Sequence, residues 1–475
     1  MRLKRLIQQI DGLEVKGSKE IEITGLTAHS KRVAPGNLFI AKKGRKHDGA
    51  LFIPDAIVSG ASAILTDMYD PFVSAVQLIH PDISSIEAKL AACYYQNPSH
   101  ALRVVGVTGT NGKTTVSFLL EALFSKAEIR TGMIGTIEWI VGDHRFPGSM
   151  TTPDVITNQK LLRDMVQAGC SAAVMEVTSH GLDQGRVGEI DFDLAVFTNL
   201  TQDHLDYHQD MDAYREAKEK LFAGLTRDKW AILNADDFMR FATKANVFTY
   251  GIDADADLQA KEIRLSDKKT QFLVCYQGQE LECRSQLVGK FNVYNLLAAI
   301  SAGLCYGLSL ETCLQALKSF KKVPGRLEKV KEGIFVDYAH TEDALSNVLQ
   351  TLNEIKKGRL ITVFGCGGDR DREKRPKMGK VASELSDMAI VTSDNPRSED
   401  PEEIIEDILR GCDKSVSVQL DREEAIRFAI AIKKPEDLVL IAGKGHEKEQ
   451  IFAHHVLPFD DAEVVRKLYE GACAY

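Results

Sequence analysis

The stretch Gly106-Val-Thr-Gly-Thr-Asn-Gly-Lys-Thr-Thr115 decides the fold. Ahead of it, Leu102-Arg-Val-Val-Gly-Val107 reads as a buried strand, apolar and rich in β-branched residues. Behind it, a helical pattern begins at about Thr114, so the glycines lie where a strand turns into a helix. Gly106, Gly109 and Gly112 let backbone N–H groups approach an anion, and the helix N-terminus adds partial positive charge. Lys113 is placed to reach the terminal phosphates of a nucleotide, and Thr114 to ligate Mg²⁺. The general phosphate-loop pattern needs a glycine at position 107, where this chain has Val107. The stretch therefore reads as a phosphate loop of unusual form.

Outward from the loop one theme repeats: an apolar strand ends and polar residues follow at once. Examples are "AAVMEVTSH" (172–180), "FDLAVFTNLTQDH" (192–204) and "KWAILNADD" (229–237), with amphipathic stretches between them. This alternation predicts a parallel sheet with helices on both faces, whose ligands gather at the carboxyl ends of the strands. Beyond a break at Lys321-Lys-Val-Pro-Gly325 a second series begins: "GIFVDYAH" (333–340), "RLITVFGCGGDRD" (359–371), "MAIVTSDNPR" (388–397) and "LVLIAGKGHE" (438–447). Before the loop, short runs such as Asn37–Ala41 and Ala61–Thr66 end at the polar break Gln96-Asn-Pro-Ser-His100. The expected architecture is three α/β domains, 1–99, 100–323 and 324–475.

Composition agrees with that count. At 475 residues the chain exceeds the roughly 100–200 of one ordinary domain, and its 44% hydrophobic and 27% charged content is near globular averages. A net charge of −9 argues against nucleic-acid partners or an anionic membrane surface, while leaving room for local basic pockets. The nine cysteines (93, 170, 275, 283, 305, 313, 366, 412 and 473) are odd in number, irregularly spaced and without a Cys-x-x-Cys pair. Reduced thiols in a cytoplasmic protein are expected. The N-terminus MRLKRLIQQIDG has no apolar core for a signal peptide, and no run approaches the ~18 apolar residues of a membrane span.

Several residues are chemical candidates. Glu176 ends an apolar strand, and a carboxylate near the phosphates suits Mg²⁺, which prefers oxygen ligands; a solvated strand-end glutamate is the alternative. His204 and His208, four apart and so expected on one helical face, suggest zinc by spacing, but the His-Glu-x-x-His order and a third ligand are lacking, and structural or capping histidines are the commoner explanation. Taken alone, Lys218 in "YREAKEKLF" reads as a solvated helical lysine. "FGCGGDRDREKRP" (364–376) could hold phosphate or carboxylate groups or be a charged loop. "SDNPRSEDP" (393–401) is a turn by composition, and its Arg397 either idles or clamps a carboxylate.

Together and in this order, these stretches resemble the Mur ligases, ATP-dependent enzymes that add amino acids to the peptidoglycan precursor. The matching stretches also include "MTTP" (150–153), "EVTSHGLDQGR" (176–186), "NLTQDHLDYH" (199–208), "GKFNVYNLLAA" (289–299), "PGRLE" (324–328), "DYAHTEDAL" (337–345), "DNPR" (394–397) and "GKGHE" (443–447), so the resemblance covers nearly the whole chain. The family's loop has the form Gly-Thr-x-Gly-Lys-Thr, with no glycine required at 107. The later motifs are most similar to the branch that adds the third residue of the peptide.

The resemblance implies a P-loop-type central domain that binds ATP through Gly109, Thr110, Asn111, Gly112, Lys113, Thr114 and Thr115. Asn292 and Asn295 are implied on the adenine side, and Arg326 and Asp337 as contacts from a Rossmann-like C-terminal domain. It implies two Mg²⁺ ions held by Thr114, Glu176, His204 and a carbamylated Lys218, which reverses the bland reading of that lysine. The catalytic set is then Lys113, Glu176, His204 and Lys218. The UDP-muramyl-dipeptide would meet Ser30, Arg45, Lys46 and His47 of the N-terminal domain, and Thr151, Thr152, Thr178, Ser179, Gln184 and Arg186 of the central one. The incoming amino acid, meso-2,6-diaminopimelate, would meet Arg370, Asp394, Asn395, Pro396, Arg397, Gly443 and Glu447. A bidentate arginine prefers a planar carboxylate, which lysine lacks at its far end.

The implied activity is ATP-dependent addition of diaminopimelate to the D-glutamate of UDP-N-acetylmuramoyl-L-alanyl-D-glutamate through an acyl phosphate. The protein would be a cytoplasmic monomer acting on small molecules, without nucleic acid or membrane insertion. The alternative is an amino-acid ligase like folylpolyglutamate synthase, which shares the loop but not the "DNPR" and "GKGHE" pair. Two stretches depart from the family pattern: Glu342 stands where proline is usual, in a turn it is expected to alter, and His29 and Lys31 replace part of a common Asp-Ser-Arg.

Overall fold

The computed structural model describes residues 1–8, 10–44, 47–237, 241–413 and 416–472. Its centre is an 11-stranded sheet. In spatial order the strands are Gln279–Ser285, Thr270–Tyr276, Leu258–Leu265, Asn246–Gly251, Trp230–Asn234, Leu194–Phe197, Arg103–Thr108, Ala172–Glu176, Thr131–Ile134, Glu138–Val141 and His144–Pro147. From Leu258–Leu265 through Thr131–Ile134 all pairings are parallel, and antiparallel strands close both ends.

Alternation along the strand before the loop explains the helices on both faces. Val105 and Val107 point into one core layer with Leu119, Leu120, Leu297 and Ile300, from the helices Lys113–Lys126 and Lys290–Tyr306. Val104 points into the other with Leu162, Met165 and Phe222, from the helices Val155–Gln167 and Met211–Ala223. A strand covered on both sides must be apolar at every position, hence the continuous run in the sequence.

A second sheet has six strands in the order Glu328–Lys331, Ile334–Asp337, Leu438–Ala442, Leu360–Phe364, Met388–Val391 and Ser417–Val418, antiparallel only at its first pairing. It too is covered on both faces. The third sheet has five strands, within residues 14–79, and its core includes Val155 and Ile156 at the start of a central helix. The chain is α/β with large, mainly parallel sheets.

Some local expectations change. Glu342 lies not in a turn but at the first position of the helix Glu342–Ile355, with Thr341 capping it by accepting the Ala344 N–H. Proline is favoured at that position and an acid suits the positive helix end, so the replacement is compatible with the backbone. His204 and His208 do not share a helical face, because His204 precedes the one-turn helix Leu205–His208 in a left-handed conformation, φ +56°. Among the described residues all eight cysteines are free, and no helix is long and apolar enough to cross a membrane.

Candidate active site

The phosphate loop is held open by the end of the next strand. The Thr110 N–H donates to the Asn199 carbonyl at 2.9 Å and the Asn111 N–H to Asn199 Oδ1 at 2.9 Å. Thr198 Oγ1 donates to the Asn111 carbonyl at 2.5 Å. Gly109 and Gly112 have φ of +148° and +88°, and a Cβ on either would collide with Thr198 or Asn295. These glycines let the loop backbone pass this close to Thr198 and Asn295 in conformations a side chain would not allow.

Glu176 ends its strand fully buried, not solvated. Its Oε2 accepts from Thr114 Oγ1 at 2.8 Å and Thr136 Oγ1 at 2.9 Å, and its Oε1 from the Thr136 N–H at 2.8 Å. Thr114 and Glu176 thus place a hydroxyl and a carboxylate together at the helix start. That all-oxygen pair fits a hard cation such as Mg²⁺. Lys113 turns back on the loop, donating to the Gly109 and Thr110 carbonyls at 2.9 and 2.8 Å. Burial pulls its ammonium below the ordinary lysine range, against Glu176 and Asp203.

Lys218 is 1% exposed, on the helix face of Tyr214, Ala217, Leu221 and Phe222, and donates to the Gly109 carbonyl at 2.9 Å. Burial, then the neighbouring Lys113, holds its pKa well below 10.5. A buried lysine pushed toward the neutral amine is a nucleophile able to take up CO₂. As an ammonium it would repel a cation; as a carbamate it would offer anionic oxygens. His204 is exposed and packs edge-on against His180, ring centroids 4.7 Å apart. His208 is buried and bonds Ser179 Oγ at 3.0 Å, which makes it structural. Among the described residues no three His, Cys, Asp or Glu side chains cluster as metal ligands.

Thr151, Thr152, Thr178, Ser179, Gln184 and Arg186 come together beside Glu176. Thr152 Oγ1 donates to the Glu176 carbonyl at 2.8 Å and accepts the Thr178 N–H at 3.0 Å. Arg186 reaches the Thr152 carbonyl at 2.9 Å and Gln184 Oε1 at 2.7 Å, and Thr151 Oγ1 lies 3.0 Å from Thr136 Oγ1. Ser30 opens a single helical turn, Ser30–Arg32, in the first segment, and His47 is exposed near Phe52. Arg45 and Lys46 lie outside the described residues.

Asn292 and Asn295 are buried in the first turns of the helix Lys290–Tyr306 and bond each other at 3.0 Å. Arg326 reaches across from the last segment, 3.4 Å from Thr114 Oγ1, with its guanidinium over the Tyr338 ring. Asp337 commits both oxygens to backbone, the N–H groups of Leu327 (2.5 Å) and Ala339 (2.8 Å), and so holds the turn that carries Arg326.

The residues expected around diaminopimelate converge at the carboxyl edge of the second sheet. Asp394, Asn395 and Pro396 are buried, and Asn395 Nδ2 donates to Glu447 Oε2 at 2.8 Å. Gly443, φ +114°, passes close to Asp394. Arg397 sits in a left-handed conformation, φ +54°, pinned by its N–H to the Ile451 carbonyl at 3.0 Å, and donates to the Gly368 carbonyl at 2.7 Å. Such strain in a non-glycine residue costs about 1 kcal/mol or more and persists only where surroundings enforce it. Arg370 is exposed on the facing loop.

Sequence reasoning passed over the clasp beneath. Arg375, fully buried, pairs with Glu399 at 2.8 Å and Asp407 at 3.0 Å, and Glu399 accepts the Asp369 N–H. Both lie inside or beside quoted motifs, and an arginine in an otherwise amphipathic helix, Lys374–Leu385, was the available signal. Thr136 and Asp343 were missed as well. Asp343 Oδ2 accepts from Asn111 Nδ2 at 3.2 Å and Thr201 Oγ1 at 2.9 Å, tying the last segment to the phosphate loop.

The chain is similar to known proteins along its length. Residues 22–105 match the model "Mur ligase family, catalytic domain", residues 107–303 "Mur ligase middle domain" and residues 325–445 "Mur ligase, glutamate ligase domain". A UDP-N-acetylmuramoyl-L-alanyl-D-glutamate–2,6-diaminopimelate ligase of Chlamydia caviae is 46% identical over 98% of this chain and 99% of its own. The chain belongs to the Mur ligase family. A Bacillus cereus relative of the same name is 44% identical over 99% of both chains. A solved structure titled as this ligase is 32% identical, with a TM-score of 0.72 and full coverage of both chains. The folylpolyglutamate synthase of Mycobacterium tuberculosis, 18% identical with a TM-score of 0.64 over 81% of this chain and 95% of its own, shares the Mur ligase fold alone.

Proposed function

We propose that this chain is the ATP-dependent ligase that joins meso-2,6-diaminopimelate to the D-glutamate of UDP-N-acetylmuramoyl-L-alanyl-D-glutamate in the cytoplasm. One observation carries the reading: a phosphate site built on Thr114 and Glu176 and an amino-acid site built on Asn395, Arg397 and Glu447 occur in one chain, with Arg326 reaching between the segments. The full-length relatives named for this reaction support it. The segments 1–99, 100–323 and 324–475 would act as the nucleotide-sugar, ATP and amino-acid domains.

In this mechanism the dipeptide's free carboxylate attacks the γ-phosphate of ATP, giving an acyl phosphate and ADP. The amine of diaminopimelate attacks the acyl carbon and phosphate leaves. Lys113 exchanges its two loop carbonyls for phosphate oxygens, and Arg326 adds a second positive charge from across the cleft. Mg²⁺ held by Thr114 and Glu176, with a second ion at His204 and carbamylated Lys218, would neutralise charge on the transferred phosphoryl group. Thr152, Thr178, Ser179, Gln184 and Arg186 orient the muramyl arm. Arg397 and Arg370 take the distal carboxylate of diaminopimelate, and Asn395 and Glu447 its amine. Lysine would leave Arg397 without an anion, an expensive loss where water is excluded.

Phosphate release measured with the UDP-dipeptide and each amino acid in turn tests this. Turnover that depends on meso-diaminopimelate and is far lower with lysine is expected. Equal rates would defeat the role given to Arg397.

A further inference from the structure

We propose that Lys444 is a positioning residue for the incoming amino acid: its buried ammonium fixes the Asn395 amide in one orientation and holds Glu447 beside it. This rests on the amino-acid site described above. Lys444 follows the strand Leu438–Ala442 between two glycines in left-handed conformations, Gly443 at φ +114° and Gly445 at φ +54°. A Cβ on Gly445 would come within 2.8 Å of both Tyr338 and the Gly325 carbonyl, so the backbone is pressed inward here. The lysine is turned under the site, 0% exposed, where most lysines send their ammonium to water.

All three ammonium hydrogens are used. Lys444 Nζ donates to Asn395 Oδ1 at 2.9 Å, Glu447 Oε2 at 3.2 Å and the Glu449 carbonyl at 2.6 Å. With no hydrogen left for a ligand, Lys444 acts through its neighbours. Asn395 Oδ1 also accepts the Ile451 N–H at 3.0 Å, so both its lone pairs are filled. Flipping the amide would set its NH₂ against an ammonium and an N–H, donors against donors. Asn395 Nδ2 is thereby committed to Glu447 Oε2, at 2.8 Å. Glu447 Oε2 takes two donors, whereas among the described residues Oε1 has only the distant Tyr338 hydroxyl at 3.5 Å. Glu447 is 31% exposed, so Oε1 is what the carboxylate offers a ligand's ammonium. Without Lys444, Asn395 could turn over and Glu447 would lose the cation that holds it.

Lys444→Met keeps the stem and removes the ammonium. The KM for meso-diaminopimelate should rise at least tenfold, with the KM values for ATP and UDP-dipeptide within twofold of the parent. The effect should be non-additive with Asn395→Ala, the double variant being no worse than the poorer single one. An unmoved KM for diaminopimelate, equal rises in all three, or additivity would overturn the proposal. If Lys444→Met fails to fold, the parent enzyme labelled with ¹⁵N at lysine Nζ decides. A slowly exchanging ammonium signal, identified by its displacement in Glu447→Gln, should move with meso-diaminopimelate and not with ATP alone; no such signal, or one indifferent to the amino acid, overturns the role. Parent turnover that ignores diaminopimelate would instead remove the functional reading itself.

Discussion

Lys218 and Glu176 are ionisable groups taken out of water, and burial acts on the lysine with a definite sign. In the unfolded chain the amine keeps its proton to about 10.5, while burial makes the folded protein release it at lower pH. Between those values the unfolded state binds more protons, so stability rises with pH. Thermal unfolding from pH 7 to 9 should therefore show the parent gaining on Lys218→Met as pH rises; parallel curves would contradict the assignment. That variant should also lose turnover. For Glu176→Gln, the apparent Mg²⁺ requirement should rise and turnover fall by about a hundredfold, read by titrating Mg²⁺ in the phosphate-release assay. Glu176 was legible as a strand-end acid suited to Mg²⁺, but its burial was not. Its burial depends on Thr114 and Thr136, and Thr136 carries no signal of its own. Lys218 was more legible than the bland reading allowed. Tyr214, Lys218, Leu221 and Phe222 fall at helical spacing, which puts the lysine on the apolar stripe.

Among the elements, the strands were the readable part. Runs covered on both faces announce themselves by unbroken apolar character, and their polar sequels mark the ligand edge. Loop-to-loop contacts were not readable, because glycines chosen for close approach look like any turn glycine. Gly368 is one: a Cβ there would run into the Pro396 carbonyl of the facing loop. Gly368→Ala should push the 394–397 turn outward and raise the KM for diaminopimelate severalfold while leaving the KM for ATP unchanged. An effect on ATP instead would place the loop's role elsewhere. The His204–His208 pair shows the opposite error, since regular spacing suggested a shared face where a left-handed residue breaks the helix.

Across the whole molecule, the first and central segments share an apolar core, with Val155 and Ile156 packed among residues of the first sheet's layer. Polar contacts, Arg326 to Thr114 and Asp343 to Asn111 and Thr201, join the last segment to the phosphate loop. Each such hydrogen bond contributes about 1 kcal/mol, so Asp343→Ala should lower kcat by about tenfold with little change in the KM for diaminopimelate, as steady-state kinetics would show. The order of motifs along the chain made the architecture legible, but this contact was not, because Asp343 and Asn111 are far apart in sequence and neither is unusual where it stands. The reaction itself is tested most directly by weighing the product. The protein is incubated with ATP, Mg²⁺, the UDP-dipeptide and either meso-diaminopimelate or lysine, and the mixture is read by mass spectrometry. The expected result is the UDP-tripeptide carrying diaminopimelate, with ADP formed in equal amount and little product from lysine. ADP without tripeptide, or equal product from lysine, would contradict it.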